Sequence, residues 1–458
     1  MFEKTIREIC SMLDVKNDPS AFDPVIVKGV SIDTRKIGSG NLFVPFKGEN
    51  VDGHEFVRQA IDNGASAALW DINVPNPPED IPVIVVEDPL LALQSLANQY
   101  RHELDLKVVG ITGSNGKTTT KDIVANLLSV KYRVHKTQGN YNNHIGLPLT
   151  ILSLPQDSEV AVLEMGMSGF GEIELLSEIS QPDAAIITNI GESHLQDLGS
   201  REGIAKAKLE IVKGLKPDGL FAYYGDEPLL QEGVKGIGLK NMETFGRSES
   251  NNIYPTKIEM NNQGSYFETS VAEGETFFLP VLGQHNIHNA LAGILIARHF
   301  GLTVEEMKEG LQSLKLTQMR MEMGEGKKGE SIINDAYNAS PTSMKAAIGL
   351  VSELEGFRTK ILVLGDMLEL GDQEEEFHQE IGHLIDQEKI QQVFTFGRLG
   401  TFIAKGALEN FPEERVHSYM DKESLAQELS SLIKGDELIL FKASRGMKLE
   451  EIIEGLKG

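Results

Sequence analysis

Apolar and polar positions along this chain change period many times. Short apolar runs rich in β-branched residues, such as VIVKGVSIDT, PVIVVED and LKVVGIT, are followed by segments with apolar residues three and four apart, such as EFVRQAIDNGA and PLLALQSLANQYRHEL. The runs predict buried strands and the spaced segments predict helices. The alternation continues with VAVLEMG before FGEIELLSEI, and with AAIITNIG before a helix through Ala205 to Leu215. The more polar stretch from Glu243 to Leu282 predicts a peripheral antiparallel ribbon, and HNIHNALAGILIARHFG a helix. Four more strands are predicted in SIINDAYNASP, TKILVLGDM, QQVFTFG and DELILFKASRG, separated by helical patterns such as SMKAAIGLVSEL and KLEEIIEGL. Such alternation means an α/β protein with mostly parallel sheets covered on both faces. Three domains are expected, over residues 1–105, 106–315 and 316–458, the last two joined by the glycine-bearing, charged segment KLTQMRMEMGEGKKGE, which suits a hinge.

Composition narrows the class. The 458 residues are enough for a core in each domain. A formal charge of −25 argues against nucleic acid or an anionic membrane as the main partner. A single cysteine, Cys10 on the first predicted helix, excludes an internal disulfide or a thiolate zinc cluster and is expected to be a core thiol in a reducing compartment. No apolar run approaches the roughly 18 residues that would span a membrane, and MFEKTIREIC lacks the layout of a signal peptide, so a cytoplasmic protein is expected. The acidic cluster EEEFHQE reads as the solvated face of a helix.

Candidate chemistry centres on GITGSNGKTTTK, residues 110 to 121. The strict phosphate-loop pattern would need glycine where Ile111 stands, yet Gly113, Gly116, Lys117 and Thr118 supply the flexible turn, the phosphate-reaching cation and the Mg²⁺-binding hydroxyl. A strand precedes and a helix follows, which aims a helix N-terminus at an anion. In open parallel sheets ligands sit beyond the carboxyl ends of the strands. Polar residues there are Glu164, then Thr188, Asn189 and His194, then Asp335, Tyr337 and Asn338. Alone, such a glutamate is usually a surface residue and such a histidine a capping or core one. Behind a phosphate loop Glu164 becomes a metal-ligand candidate. Asn286 and Asn289 share a helix face and could meet the edge of a base, and Arg320 could clamp a phosphate. Lys442 and Arg445 follow a strand and are equally well read as surface charge.

The ordered series GSNGKTTT, LEMGMSGFGEI, TNIGESH, GQHNIHN, NDAYNASP and LGDMLELG resembles the motif series of the Mur ligases, the amide-forming enzymes of peptidoglycan precursor synthesis. The combination of DAYNASP with LGDMLELG, together with SIDTRKIGSGNLFVPFKGENVDGHEF and GNYNNHIGLPLT, is most similar to the member that adds D-alanyl-D-alanine to UDP-N-acetylmuramoyl-tripeptide. No D-N-P-R run of the diaminopimelate-adding relative is present. The resemblance implies a UDP-sugar domain, a central ATP-binding phosphate-loop domain and a C-terminal Rossmann-like domain that completes the ATP site and binds the dipeptide. It implies a monomer that uses ATP and Mg²⁺ and works through an acyl phosphate.

By the same resemblance Gly113, Ser114, Asn115, Gly116, Lys117, Thr118 and Thr119 would hold the nucleotide phosphates, with Asn289 at adenine and Arg320, Asp335 and Asn338 engaging from the far side. Thr118 and Glu164 would bind one Mg²⁺. His194 would bind a second with Lys208, carried as a carbamate, because AKAKLEI matches the family's A-K-[LW] setting at Lys208 and leaves Lys206 on another face. Catalytic roles fall to Lys117, Lys208 and His194. Ser31, Thr34, Arg35, Asp52, His54, Asn142 and Asn143 would neighbour the UDP-linked substrate. Competing readings are folylpolyglutamate synthetase, which lacks a domain before its phosphate loop, and an ATP-switched binding protein, which has no need of two further domains.

Overall fold

The computed structural model describes residues 1–457. In the first unit the strands Val30–Ser31, Leu42–Phe43, Ala67–Asp71 and Val83–Val86 form a parallel sheet, and Glu3–Thr5 pairs antiparallel with Ile26–Lys28. The helix Pro89–Glu103 starts where Asp88 accepts the N–H groups of Leu90 and Leu91 and where Pro89 needs no hydrogen bond. Its apolar face, with Leu93, Leu96 and Tyr100, enters one core with Leu147, Ile151 and Leu163 of the second unit. Cys10, on the helix Ile6–Met12, is half-buried against the same core.

The second unit is a six-stranded, wholly parallel sheet in the order Asn241–Phe245, Leu220–Tyr224, Ala184–Ile187, Lys107–Thr112, Val160–Glu164, Val134–Lys136. Alternate residues serve opposite cores: Val108 and Leu163 face one, Val109, Ile111 and Val162 the other. Burial on both faces explains why these strands read as unbroken apolar runs. The first strand in sequence, Lys107–Thr112, lies between strands that come later in the chain on both sides, so a crevice opens at its carboxyl end.

The third unit is also six-stranded, in the order Glu322–Glu325, Ser331–Asn334, Glu437–Lys442, Thr359–Gly365, Gln392–Phe396, Val416–Tyr419, parallel except for its first strand. EEEFHQE begins the helix Glu374–His383, whose first-turn glutamates favour the positive end of the helix dipole while His378 and Ile381 turn inward.

Four expectations need correction. Asn241–Phe245 is the parallel edge strand of the second sheet, and the antiparallel ribbon is confined to Pro255–Asn261, Gly264–Thr269 and Ala272–Leu279. The strands Glu322–Glu325 and Val416–Tyr419 were not predicted, because edge strands such as EMGE and VHSY lack the apolar run of a buried strand. The α-helix expected to run to Leu215 stops at Leu209 and tightens into a 3₁₀ turn over Glu210–Lys213. Gly324, Gly326 and Gly329 lie in the hairpin that starts the third sheet, not in a hinge. The irregular link is residues 313–321, where Met319 and Met321 adopt φ of 62° and 52°.

Candidate active site

At the carboxyl end of Lys107–Thr112 the chain turns through residues 113–116 into the helix Lys117–Ser129. Both loop glycines are dictated by crowding as well as by positive φ. A Cβ on Gly113 would stand 1.8 Å from Thr188 Oγ1, and one on Gly116 2.8 Å from Asn289 Oδ1. Position 111, where the strict pattern wants glycine, is a fully buried strand residue. The loop is pinned by the neighbouring strand end: Ser114 N–H donates to Asn189 O (3.1 Å), Asn115 N–H to Asn189 Oδ1 (3.0 Å) and Thr188 Oγ1 to Asn115 O (2.6 Å). Lys117 Nζ folds back onto Gly113 O at 2.7 Å, and burial lowers its pKa. The first-turn N–H groups of the helix have no intrahelical acceptors and face the same space.

Glu164, 3 % exposed, ends the adjacent strand. Its Oε1 accepts Asn142 Nδ2 at 2.8 Å, while Oε2 is buried without a hydrogen bond, with Lys121 Nζ 4.0 Å away. Thr118 Oγ1 accepts Arg320 Nη2 at 3.1 Å. An orphaned carboxylate oxygen on the strand paired to the one leading into the phosphate loop, and a threonine hydroxyl at the head of the loop's helix, are hard oxygen donors of the kind Mg²⁺ takes. His194 adopts φ of 64°, an uncommon backbone state for a residue other than glycine, and its Nδ1 lies 2.8 Å from Glu369 Oε2 of the third unit. Lys208 is 1 % exposed. Burial first, then the charge of Lys117, pushes its pKa well below the usual lysine value. Lys206 is exposed, with its ammonium 5.7 Å from the Phe170 ring centre. Among the described residues no three His, Cys, Asp or Glu side chains gather as a metal site.

The third unit closes the other wall of a cavity of about 410 Å³, lined by the loop residues Ser114 to Thr119 together with Asn289, Arg320, Asp335, Asn338 and Lys442. Arg320 stacks on Tyr337 (4.1 Å) and keeps an unpartnered Nε, and Asn115 Nδ2 is likewise buried without an acceptor. Both are donors suited to phosphate or nucleoside oxygens. Ser340 Oγ bonds Asn115 Oδ1 at 3.0 Å, and Glu192 accepts Thr342 N–H and Oγ1, so the two units meet at the loop itself.

Several expected roles differ in the structure. Both oxygens of Asp335 are engaged, one by Met321 N–H (3.2 Å) and one by Lys442 Nζ (2.5 Å), so it holds the wall rather than offering a free carboxylate. Asn286 spends its amide on Leu282 O and Asn289, and Asn289 lies against Gly116 at the loop. Lys442 is 2 % exposed and part of the cavity, whereas Arg445 is a surface partner of Glu450. His285, His288 and Tyr224 also line the cavity. GQHNIHN displayed these histidines, but helical spacing singled out only its asparagines.

In the first unit His54 is 5 % exposed, edge-on to Trp70, with Nδ1 on Asp52 (2.6 Å) and Nε2 accepting Asp71 N–H (3.1 Å). Neither ring nitrogen is free, and Asp52 is occupied in capping the turn Gly53–Phe56. Asn143 Oδ1 accepts Gly146 N–H at 2.8 Å, and Asn142 Nδ2 donates to Glu164 Oε1. Ser31 Oγ donates to Asp33 O (3.1 Å), Thr34 shares the turn Thr34–Lys36, and exposed Arg35 pairs with Asp33 at 2.9 Å.

Three family models match in succession: Mur ligase family, catalytic domain, over 26–101; Mur ligase middle domain over 111–297; and Mur ligase, glutamate ligase domain, over 319–445. The UDP-N-acetylmuramoyl-tripeptide--D-alanyl-D-alanine ligase of Bacillus subtilis (strain 168) is 53% identical over 456 residues, covering 100% of this chain and 99% of its own. A crystal structure of MurF from Acinetobacter baumannii superposes with a TM-score of 0.90 at 29% identity, covering 100% of this chain and 99% of that one. MurF from Thermotoga maritima in complex with ADP gives 0.82 at 32% identity, with 94% and 97% coverage.

Proposed function

The chain belongs to the Mur ligase family, and on that premise we propose how its residues divide the work of joining D-alanyl-D-alanine to UDP-N-acetylmuramoyl-tripeptide with ATP. It is an ATP-dependent ligase of peptidoglycan precursor synthesis. The observation that carries the reading is the cavity between two sheets, with phosphate donors on one wall and Arg320 on the other, while Glu164, with one unpaired oxygen, ends the strand paired to the one that leads into the loop.

The terminal carboxylate of the tripeptide attacks the γ-phosphorus, the bond to the β-phosphate oxygen breaks, and ADP leaves an acyl phosphate. The dipeptide amine then attacks the acyl carbon, loses a proton, and phosphate departs. Lys117 and the first-turn amides hold the β- and γ-phosphates, and Arg320 neutralises them from the link between the second and third units. Thr118 and Glu164 would hold Mg²⁺, which supplies positive charge at the phosphate oxygens. Lys208, whose burial lowers its pKa and favours the neutral amine, would add that amine to CO₂ with loss of a proton and serve with His194 as ligands of a second ion. Residues 1–105 take the UDP-sugar, 106–315 bind ATP, and 316–458 complete that site and receive the dipeptide, in a cytoplasmic monomer.

Purified protein should release ADP and phosphate only when ATP, Mg²⁺, UDP-linked tripeptide and D-alanyl-D-alanine are all present. Equal turnover without the dipeptide would overturn the reading.

A further inference from the structure

One face of the helix Lys117–Ser129 carries polar side chains at successive turns, Thr118, Asp122 and Asn126. Each meets the chain that descends from the second unit to the third. Asn126 Nδ2 donates to Gly310 O (2.5 Å) and Ser313 Oγ (3.0 Å), Asp122 Oδ2 accepts Thr317 N–H (2.7 Å), and Thr118 Oγ1 accepts Arg320 Nη2 (3.1 Å). The link therefore runs back along the phosphate-loop helix, one contact per turn, and delivers Arg320 at the helix head.

Asp122 is the fixed point of this arrangement. It is 1 % exposed, its other oxygen takes Lys136 Nζ at 2.6 Å, and Lys121 Nζ lies 3.7 Å away. A buried, doubly anchored carboxylate is a stiff acceptor. Four residues beyond Thr317, Met321 N–H is held by Asp335 of the third unit. Arg320 thus sits between a tether on each unit, and the two positive-φ residues, Met319 and Met321, fall within that interval.

We propose that Asp122 is a positioning residue for Arg320: by holding Thr317 N–H to the phosphate-loop helix it sets the pivot about which the third unit turns and places the guanidinium at the nucleotide phosphates. This rests on Arg320 acting there. Asp122→Ala would remove the tether's acceptor, and Thr317→Pro would delete its donor without entering the core.

The test is a double-mutant cycle in the full chain, with Asp122→Ala, Thr317→Pro and Arg320→Ala singly and combined, assayed for kcat and for KM of ATP on protein shown folded by circular dichroism. Each tether variant should lower kcat/KM at least tenfold in the wild-type background and less than twofold once Arg320 is alanine. Restoring the carboxylate as Asp122→Glu should recover part of the loss. Full, additive losses in the Arg320→Ala background, or Thr317→Pro with wild-type kinetics, would overturn the tether. If Asp122→Ala does not fold, the Thr317→Pro cycle decides alone. A silent Arg320→Ala would instead refute the assignment of Arg320, a distinguishable outcome.

Discussion

Glu164→Gln is nearly isosteric, and its consequence can be worked from the partners of each oxygen. Asn142 Nδ2 is a donor at 2.8 Å from Oε1, so a glutamine must turn its carbonyl toward Asn142 and place its NH₂ where Oε2 now stands. That is the buried oxygen without a hydrogen bond, the atom assigned to Mg²⁺. The substitution therefore removes both the ligand and its charge, and leaves a donor facing the cation. At an effective dielectric of about 20, one unit-charge pair at 4 Å is worth about 4 kcal/mol. A loss of about 10² to 10³ in kcat/KM follows, with a matching rise in the Mg²⁺ concentration for half-maximal rate. The Asn142 contact persists and Lys121 keeps Asp122, so the thermal midpoint should move little. The assay is initial ADP release against free Mg²⁺ at saturating ATP, tripeptide and dipeptide. A rate and a Mg²⁺ midpoint within threefold of wild type would refute the role of Glu164.

Lys117→Ala should leave the fold intact and abolish most turnover, about 10²-fold or more, measured by phosphate release. Lys208→Ala should lose most activity and regain part of it with added formate or acetate, while Lys206→Ala, on the exposed face, should stay within about twofold. His288 has a pKa pushed down to about 4 by burial first, then by Arg247 and His285, against an ordinary 6.5. The unfolded chain binds this proton and the folded chain excludes it, so stability is full above pH 6.5 and falls by about 3 kcal/mol on the way to pH 4. Denaturation at pH 7 and pH 4.5 should show a smaller acid loss for His288→Leu, and equal losses would remove His288 as the cause. With residues 313–321 as the link, small-angle scattering should show compaction when an ATP analogue and the UDP-linked tripeptide are added, and an unchanged radius of gyration would count against domain closure.

The parallel sheets were legible because strands buried on both faces must be apolar throughout, as in LKVVGIT and VAVLEMG. Edge strands were not, since NMETF, EMGE and VHSY owe their place to backbone pairing with a stronger neighbour. The phosphate loop was readable from glycine, lysine and threonine order, because the chemistry is local in sequence. What each flanking polar residue does was not, because it depends on partners far along the chain. His54 and Asp335 sit in conspicuous polar motifs, yet one is closed by Asp52 and Asp71 N–H and the other by Lys442 and Met321 N–H. Lys442, over a hundred residues from Asp335, carried no signal of its own beyond ending a strand.

The distribution of buried cations adds a physical reason for the site's location. The chain carries a formal charge of −25, yet Lys117, Arg320 and Lys442, the last only 2 % exposed, line one crevice. Burial disfavours the Lys117 ammonium and lowers its pKa. Lys442 is paired with Asp335, whereas Lys117 Nζ bonds the carbonyl of Gly113. A polyanion entering the crevice would supply the missing counter-charge and relieve that desolvation, so its binding should be coupled to proton uptake. Calorimetry of ADP binding in buffers of differing ionisation enthalpy measures that uptake directly. A net uptake is expected, reduced in Lys117→Met, and binding without proton exchange would mean that Lys117 is already charged before the nucleotide arrives.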